Sequence, residues 1–351
     1  PSGPVALLAE PVPVAEIFFL FSSALLPDGR LMIAFRNASD DAALVTVLST
    51  YVSVNPDRPA ALPPVASLSV GPMTRVLAEG RRAGSGTPAS SLFGAVGSLA
   101  YLSGWDVLAI INEFVGVGDV DEIFLLLRYD PVTDTGIKAS SETSLDVEGV
   151  VMQSAYGVGL ARLDDYSSSR GVVAGSPIFA MGYVDAFSQI SSSLDVYITV
   201  VDASDPDNLV FSPRFMSGVG EAARFSLLPM ENNKIMLIAH PLTSSLQLQA
   251  MLCNHDNSAI LGCGSLETIT TAKVEVYAAM VVAADSVVVL AADSTVKTFF
   301  GLQVNITDAA TNAVAVANSG KGYPGQWPVL AVANKVRYAF AGYMMFGAVA
   351  G

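Results

Sequence analysis

The sequence predicts an all-β fold, an antiparallel β-propeller of about six blades, on three observations. A phrase of apolar run, polar turn and second apolar run recurs along the chain. It reads SSALLPDGRLMIAFRN at Ser22 to Asn37, RFSLLPMENNKIMLIAHP at Arg224 to Pro241 and VYAAMVVAADSVVVLAAD at Val276 to Asp293. Hydrophobic residues make up 52% of the 351 residues and charged residues only 14%, the balance of a chain with much buried strand and few charged helix faces. Each apolar run ends in Asp, Asn, Gly or Pro, the residues that close tight turns between strands. A small antiparallel sheet cannot bury both faces alone, so copies of it must share a core with their neighbours. The competing arrangement is an open stack of small β-domains.

The elements follow in order within each unit. A first strand is read in LFSSALLP, FGAVGSLAYL, YGVGLARL, RFSLLP, VYAAMVVA and WPVLAVA. The most apolar strand comes second, in RLMIAF, WDVLAIINEF, SPIFAMGYV, KIMLIAH, SVVVLAA and KVRYAFAGYMM. A third strand is clearest in ALVTVLSTYVSV, DEIFLLLRYDP, SLDVYITVVDAS, LQLQAMLCN and TFFGLQVNITD, and a fourth in SLSVGP, IKASSETSL, LVFSPRF, AILGCGSL and AVAVANSG. The last unit is short, and the expectation is that an N-terminal strand, PVALLAEPV or AEIFFLF, closes the ring. Residues 1–351 are thus expected to form a single array. Residues 69–91 interrupt it as an insertion, with a helix over PMTRVLAEGRR from Pro72 to Arg82 and a Gly/Ser-rich linker after it.

The formal net charge of −14 and pI near 4.4 exclude a nucleic-acid ligand, because a phosphate backbone would be repelled. A membrane span is not expected: Val274 to Ala292 is interrupted by Glu275 and Asp285, and Ala341 to Gly351 is too short. An acidic, charge-poor surface rich in Ser, Thr and Asn suits an extracellular or virion-exposed protein. The chain begins at Pro1 without a Met, and a piece of a longer polypeptide is the expectation.

Few residues suggest chemistry. Cys253 and Cys263 flank NHDNSAIL, and a hairpin there could set them at disulfide distance; two small buried hydrophobes is the alternative. His240 and His255 lie in the same unit. A zinc site is disfavoured because His240 closes one strand while Cys253 and His255 close the next, about 20 Å away. Asp202, Asp205 and Asp207 in VDASDPDN offer the hard oxygens that calcium prefers, without the turn Gly and distal Glu of an EF-hand loop, so Ca2+ is the one cofactor considered and a plain Asp/Pro/Asn turn competes. Glu113, Asp164, Asp165 and Asp185 are the carboxylates available for glycosidic chemistry, and no Ser/His/Asp elbow or phosphate-binding loop accompanies them. Trp105, Tyr323 and Trp327 are the aromatic residues at turns on which a sugar ring could stack, with packing at a blade junction as the alternative role.

The stretch Val287 to Gly320 resembles β-units of bacteriophage structural proteins, through Gly301, Thr307, Asp308, Ala309, Ala310, Val314, Val316 and Gly320. The resemblance implies a virion appendage or decoration protein that oligomerises and touches a host surface. The expectation is therefore a non-enzymatic structural or surface-binding module of an extracellular or virion assembly. Its partners would be other structural subunits, including copies of itself, or a host surface glycan, with Met344 and Phe346 as candidates for an intersubunit patch against core packing as their more ordinary role. A secreted lectin-like propeller is the alternative, and a glycan-cleaving enzyme a distant one.

Overall fold

A strand that is apolar at every position must be covered on both faces, and the arrangement of the sheets provides this. The computed structural model describes residues 18–28, 30–37, 42–53, 65–77, 82–83, 97–116, 119–132, 137–139, 143–144, 146–147, 150–151, 154–163, 177–185, 195–205, 208–220, 222–241, 247–293, 295, 298–319, 323–324, 331–333 and 336–338. The fold is all-β, with five large antiparallel sheets in chain order. It divides into two compact units, Pro1–Ser91 with Ala95–Leu145, and Leu92–Gly94 with Asp146–Gly351.

The first unit holds two sheets. The first runs through Phe18–Leu25, Leu31–Asn37 and Ala43–Ser53 to an outermost position shared by two short strands in line, Val65–Val70 and Thr74–Arg75. The second runs through Gly97–Ser103, Asp106–Gly116 and Asp119–Tyr129 to Ile137–Ala139 and Thr143–Ser144. Arg82–Ala83 pairs with the far end of its second strand, at Glu113 and Phe114.

The second unit holds three more. The third sheet is Ser154–Arg162, Ile178–Asp185, Val196–Asp202 and then Val210–Phe211 with Phe215–Met216. The fourth is Ala222–Met230, Lys234–Pro241, Gln249–His255 and then Ile260–Cys263 with Glu267–Thr268. The fifth is Val274–Ala283, Ser286–Asp293, Thr298–Asp308 and then Ala313–Ser319 with Tyr323–Pro324. Two small hairpins, Asp146–Val147 with Val150–Val151 and Ala331–Ala333 with Val336–Tyr338, complete the described strands.

The outermost strand is broken in the same way in all five sheets. Leu48 faces Val70 and Val45 faces Thr74, so three residues along the third strand are matched by four along the outer one. The same offset separates Leu127/Ala139 from Phe124/Thr143, and Val201/Phe211 from Ile198/Phe215. It recurs between Cys253/Cys263 and Ala250/Glu267, and between Leu302/Ser319 and Phe299/Tyr323. This is a one-residue bulge repeated at one place in the unit. The amides of Gly71, Ser212 and Gly264 donate across it to the carbonyls of Val47, Val200 and Leu252, each at 2.9 Å. Thr46 Oγ1 and Thr199 Oγ1 then donate to the carbonyls of Gly71 and Ser212, at 2.8 and 2.7 Å.

This bulge corrects the helix expected over Pro72 to Arg82. Pro72 and Met73 lie in the break of the outer strand, and Thr74–Arg75 resumes pairing, with Val45 and Leu44. The Leu/Ala/Glu content that suggests a helix there is overridden by the unpaired edge of the third strand, which offers the segment backbone partners. Arg82–Ala83 is likewise strand.

Within each unit the cores lie between successive sheets. In Lys234–Pro241 all eight residues are buried, and side chains alternate between faces. Ile235, Leu237 and Ala239 pack with Ala180, Val184 and Ile198 of the third sheet. Met236 and Ile238 pack with Tyr277, Val289 and Leu302 of the fifth. In the first unit, Met32, Ala34 and Val45 meet Val107, Ala109 and Leu125 in the same manner.

Candidate functional site

Two polar latches hold these seams, each at a turn before the second strand of its sheet, and a caged carboxylate orders the loop between the third and fourth sheets. In the first sheet the turn before Leu31–Asn37 carries Arg30, whose Nε contacts Asp28 Oδ2 at 2.5 Å. Its guanidinium lies over the rings of Trp105 and Tyr129 in the second sheet, 5.5 and 4.6 Å from their centroids, and it donates to the Tyr129 hydroxyl. Trp105 is half-buried, meets Tyr129 edge-on at 6.1 Å and packs against the shared core. The guanidinium, the indole and the phenol ring thus meet as a three-way cluster in the seam.

Lys234 stands at the corresponding place of the fourth sheet. Its neighbour Ile235 faces Cys253, as Leu31 faces Leu48 in the first sheet, and both of these third-strand residues stand at the start of the bulge. It is 7% exposed, and its ammonium donates to Asn254 Oδ1 at 2.7 Å, to the Ala309 carbonyl at 2.7 Å and to Asn312 Oδ1 at 2.6 Å. Burial holds its pKa below the usual lysine value, and the Asp308 carboxylate offsets part of that. The last two acceptors belong to the fifth sheet, so the lysine latches one sheet to the next. The quoted phrases carry the signal for both latches, since PDGR and ENNK place a cation at the same point of the repeat.

Asp195, 4% exposed, precedes the third strand of the third sheet. Its carboxylate accepts the amides of Val196, Gly218 and Gly220 at 2.7, 2.8 and 2.9 Å and the Ser217 hydroxyl at 3.0 Å. Gly218 and Gly220 take φ of 78° and 80°, a left-handed backbone that only glycine adopts cheaply. The caged carboxylate therefore fixes the loop that leads into the fourth sheet.

Cys253 and Cys263 lie directly opposite each other on the third and outer strands of the fourth sheet and are joined by a disulfide, with Cα atoms 4.0 Å apart. Both sulfurs are thereby committed, and Asn254 pairs with Lys234, so His255 and His240 sit at opposite ends of that sheet. Asp202 accepts the amide of Ser204 at 2.9 Å and also its hydroxyl, a local turn; Asp205 is exposed, and its carbonyl accepts the Asn208 amide at 3.0 Å. Asp207, Trp327, Asp164, Asp165, Met344 and Phe346 lie outside the described residues, while Tyr323, Glu113 and Asp185 are placed on strands. No group of three or more His, Cys, Asp or Glu able to hold a metal occurs among the described residues.

Four of the exposed large apolar side chains lie on outer strands, while Val132, 89% exposed, lies in a turn of the second sheet. Val210 and Met216 of the third sheet are 58% and 55% exposed, Leu261 of the fourth 63% and Val316 of the fifth 39%. Met73, in the break of the first sheet's outer strand, is 47% exposed. The repeated bulge matters here, because a bent, interrupted edge resists the addition of a further strand.

No protein-family model and no curated protein matches the chain. Among solved structures it is similar to the β-propeller domain of the Trilobed protease from Pyrococcus furiosus, at 8% identity and a TM-score of 0.32, over 89% of this chain and 99% of that one. That score is too low to carry an argument about function. No helix among the described residues is long and apolar enough to cross a membrane, which leaves strand-built spans unaddressed.

Proposed function

We propose that this chain is a non-catalytic structural or surface-binding module of an extracellular or virion assembly, a six-bladed propeller that docks on neighbouring subunits through its outer rim. The observation that carries the reading is the run of exposed apolar side chains, Val210, Met216, Leu261 and Val316, on the outer strands of three successive sheets. Apolar groups at this exposure, repeated along one edge, are stabilised by a partner surface. The Cys253 to Cys263 disulfide supports an oxidising setting, and a pI near 4.4 supports a protein kept soluble by its own charge.

Six blades and ring closure belong to the same reading. The hairpin Ala331–Ala333 with Val336–Tyr338 follows the fifth sheet, where a sixth unit would begin, and supports this reading. Val288 and Leu290, on the face of the fifth sheet turned away from the fourth, are half-buried and suit a sixth sheet completed by the N-terminal segment.

The test is the assembly state of the purified chain against a Met216→Glu/Leu261→Lys variant, by sedimentation velocity at tens of micromolar, with electron-microscope class averages of the same samples. The expected result is an oligomer of six-lobed rings for the parent and a monomer with an unchanged far-ultraviolet spectrum for the variant. A monomeric parent, or a variant that assembles as before, overturns the docking reading; an open arc of sheets overturns closure.

A further inference from the structure

The seam between the fourth and fifth sheets encloses a histidine whose ring nitrogens make no hydrogen bond among the described residues. His240 is the next-to-last residue of the strand Lys234–Pro241 and is 4% exposed. Strand alternation turns it to the same face as Met236 and Ile238, which belong to the core shared with the fifth sheet. Neither Nδ1 nor Nε2 has a hydrogen-bond partner among the described residues.

Among the described residues, the groups that act on its charge are Arg224 and the Val274 backbone, and no carboxylate is one of them. Arg224 lies directly opposite on the first strand of the same sheet, and Gln249 faces the adjacent Ala239 on the third. From the fifth sheet come Val274, fully buried, and Tyr277, whose hydroxyl donates to the Ile238 carbonyl at 2.7 Å. Asp293, the carboxylate opposite Val274, accepts the Thr295 amide at 2.7 Å. A neutral imidazole is tolerated there as a flat, weakly polar filler, whereas an imidazolium would be a buried cation facing the Arg224 guanidinium with no carboxylate bonded to it among the described residues.

We propose that His240 is an acid-operated release for this seam: proton uptake parts the fourth sheet from the fifth at the Pro241 end, while Lys234 holds the other end of the same strand. The opening is local, because the two groups sit at opposite termini of one strand and only one of them titrates in mild acid.

The linkage has a definite sign. Burial first, and Arg224 second, hold the His240 pKa down at about 4 against 6.5 for the free side chain, with the Val274 backbone close enough to offset part of this but short of hydrogen-bond geometry. The open form therefore binds more protons than the closed form between these values. The seam is at full strength above about pH 6.5 and weakens as pH falls to about 4, by about tenfold in the opening constant per pH unit.

Hydrogen exchange with mass spectrometry on the full chain, corrected for the pH dependence of intrinsic exchange, tests this in the segments 234–241 and 274–283. Between pH 7.5 and 4.5 the opening constant should rise roughly 70-fold in the parent, stay flat in His240→Leu, and rise as in the parent in a His255→Gln control. An Arg224→Met variant, which removes the neighbouring cation, should show a smaller rise and serves if His240→Leu does not fold. An unchanged parent, a His240→Leu variant that still opens, or a response lost in His255→Gln overturns the proposal.

Discussion

Replacing Lys234 by alanine strikes the latch between the fourth and fifth sheets, and its effect can be worked from the contacts. Three charge-assisted hydrogen bonds contribute about 1.5–3 kcal/mol each, and the cost of stripping water from a buried ammonium is several kcal/mol, so the intact latch is near balance. Truncation changes the account because the acceptors stay behind. Ala309 is exposed and its carbonyl recovers water, Asn254 is half-buried, and Asn312 is buried and keeps an unmatched oxygen. The expected loss is about 2–3 kcal/mol. Asn312 sits at a φ of 57°, so its partner in a double-mutant cycle should be Asn312→Gly, which removes the acceptor without forcing a side chain into left-handed backbone. Urea unfolding of the parent, both single variants and the double should give a coupling of about 1–2 kcal/mol. A coupling within about 0.5 kcal/mol of zero, the level at which unconnected sites simply add, would refute the latch.

Two further outcomes follow from the seams. A Cβ on Gly182 would lie 2.5 Å from Phe225 Cε2 and 3.1 Å from Leu227 Cδ1, so Gly182→Ala should cost about 1–3 kcal/mol in thermal or urea unfolding, and Phe225→Leu should return most of it; a neutral Gly182→Ala would mean that the third and fourth sheets are not packed this way. The Cys253 to Cys263 bridge closes a loop with a sequence separation of 10, for which chain entropy gives roughly 3 kcal/mol. The Cys253→Ala/Cys263→Ala variant should unfold at correspondingly lower urea, and reductant should move the parent curve but not the variant's; superimposable parent and variant curves count against a bridge that constrains the chain.

Strand order was open to reading because it depends on local pattern. Runs such as KIMLIAH and SVVVLAA are apolar at successive positions, which only a strand covered on both faces accommodates, and the Asn and Asp residues between them mark the turns. The fourth strands read in SLSVGP, LVFSPRF and AILGCGSL run into the bulge, where a small residue, Gly71, Ser212 or Gly264, allows the backbone to cross. The segment from Pro72 went astray for the opposite reason: its side chains suit a helix, and only the third strand's free edge decides otherwise. Among the sites, the cysteine pair was legible from its spacing. The Arg30 and Lys234 latches were written in the repeat but acquire meaning only from the rings and amides they reach in the following sheet.

From its own residues the chain determines that it forms short antiparallel strands, where they turn, and which strand of each unit lies deepest, since hydrophobic period and turn chemistry act between residues close in sequence. Tertiary structure alone decides that Trp105 clusters with Arg30 and Tyr129, that Lys234 finds Asn312, and that His240 is buried opposite Arg224. Those outcomes depend on which sheet faces which and on what remains to share a buried charge or an unmet hydrogen bond, and no spacing along the chain encodes them.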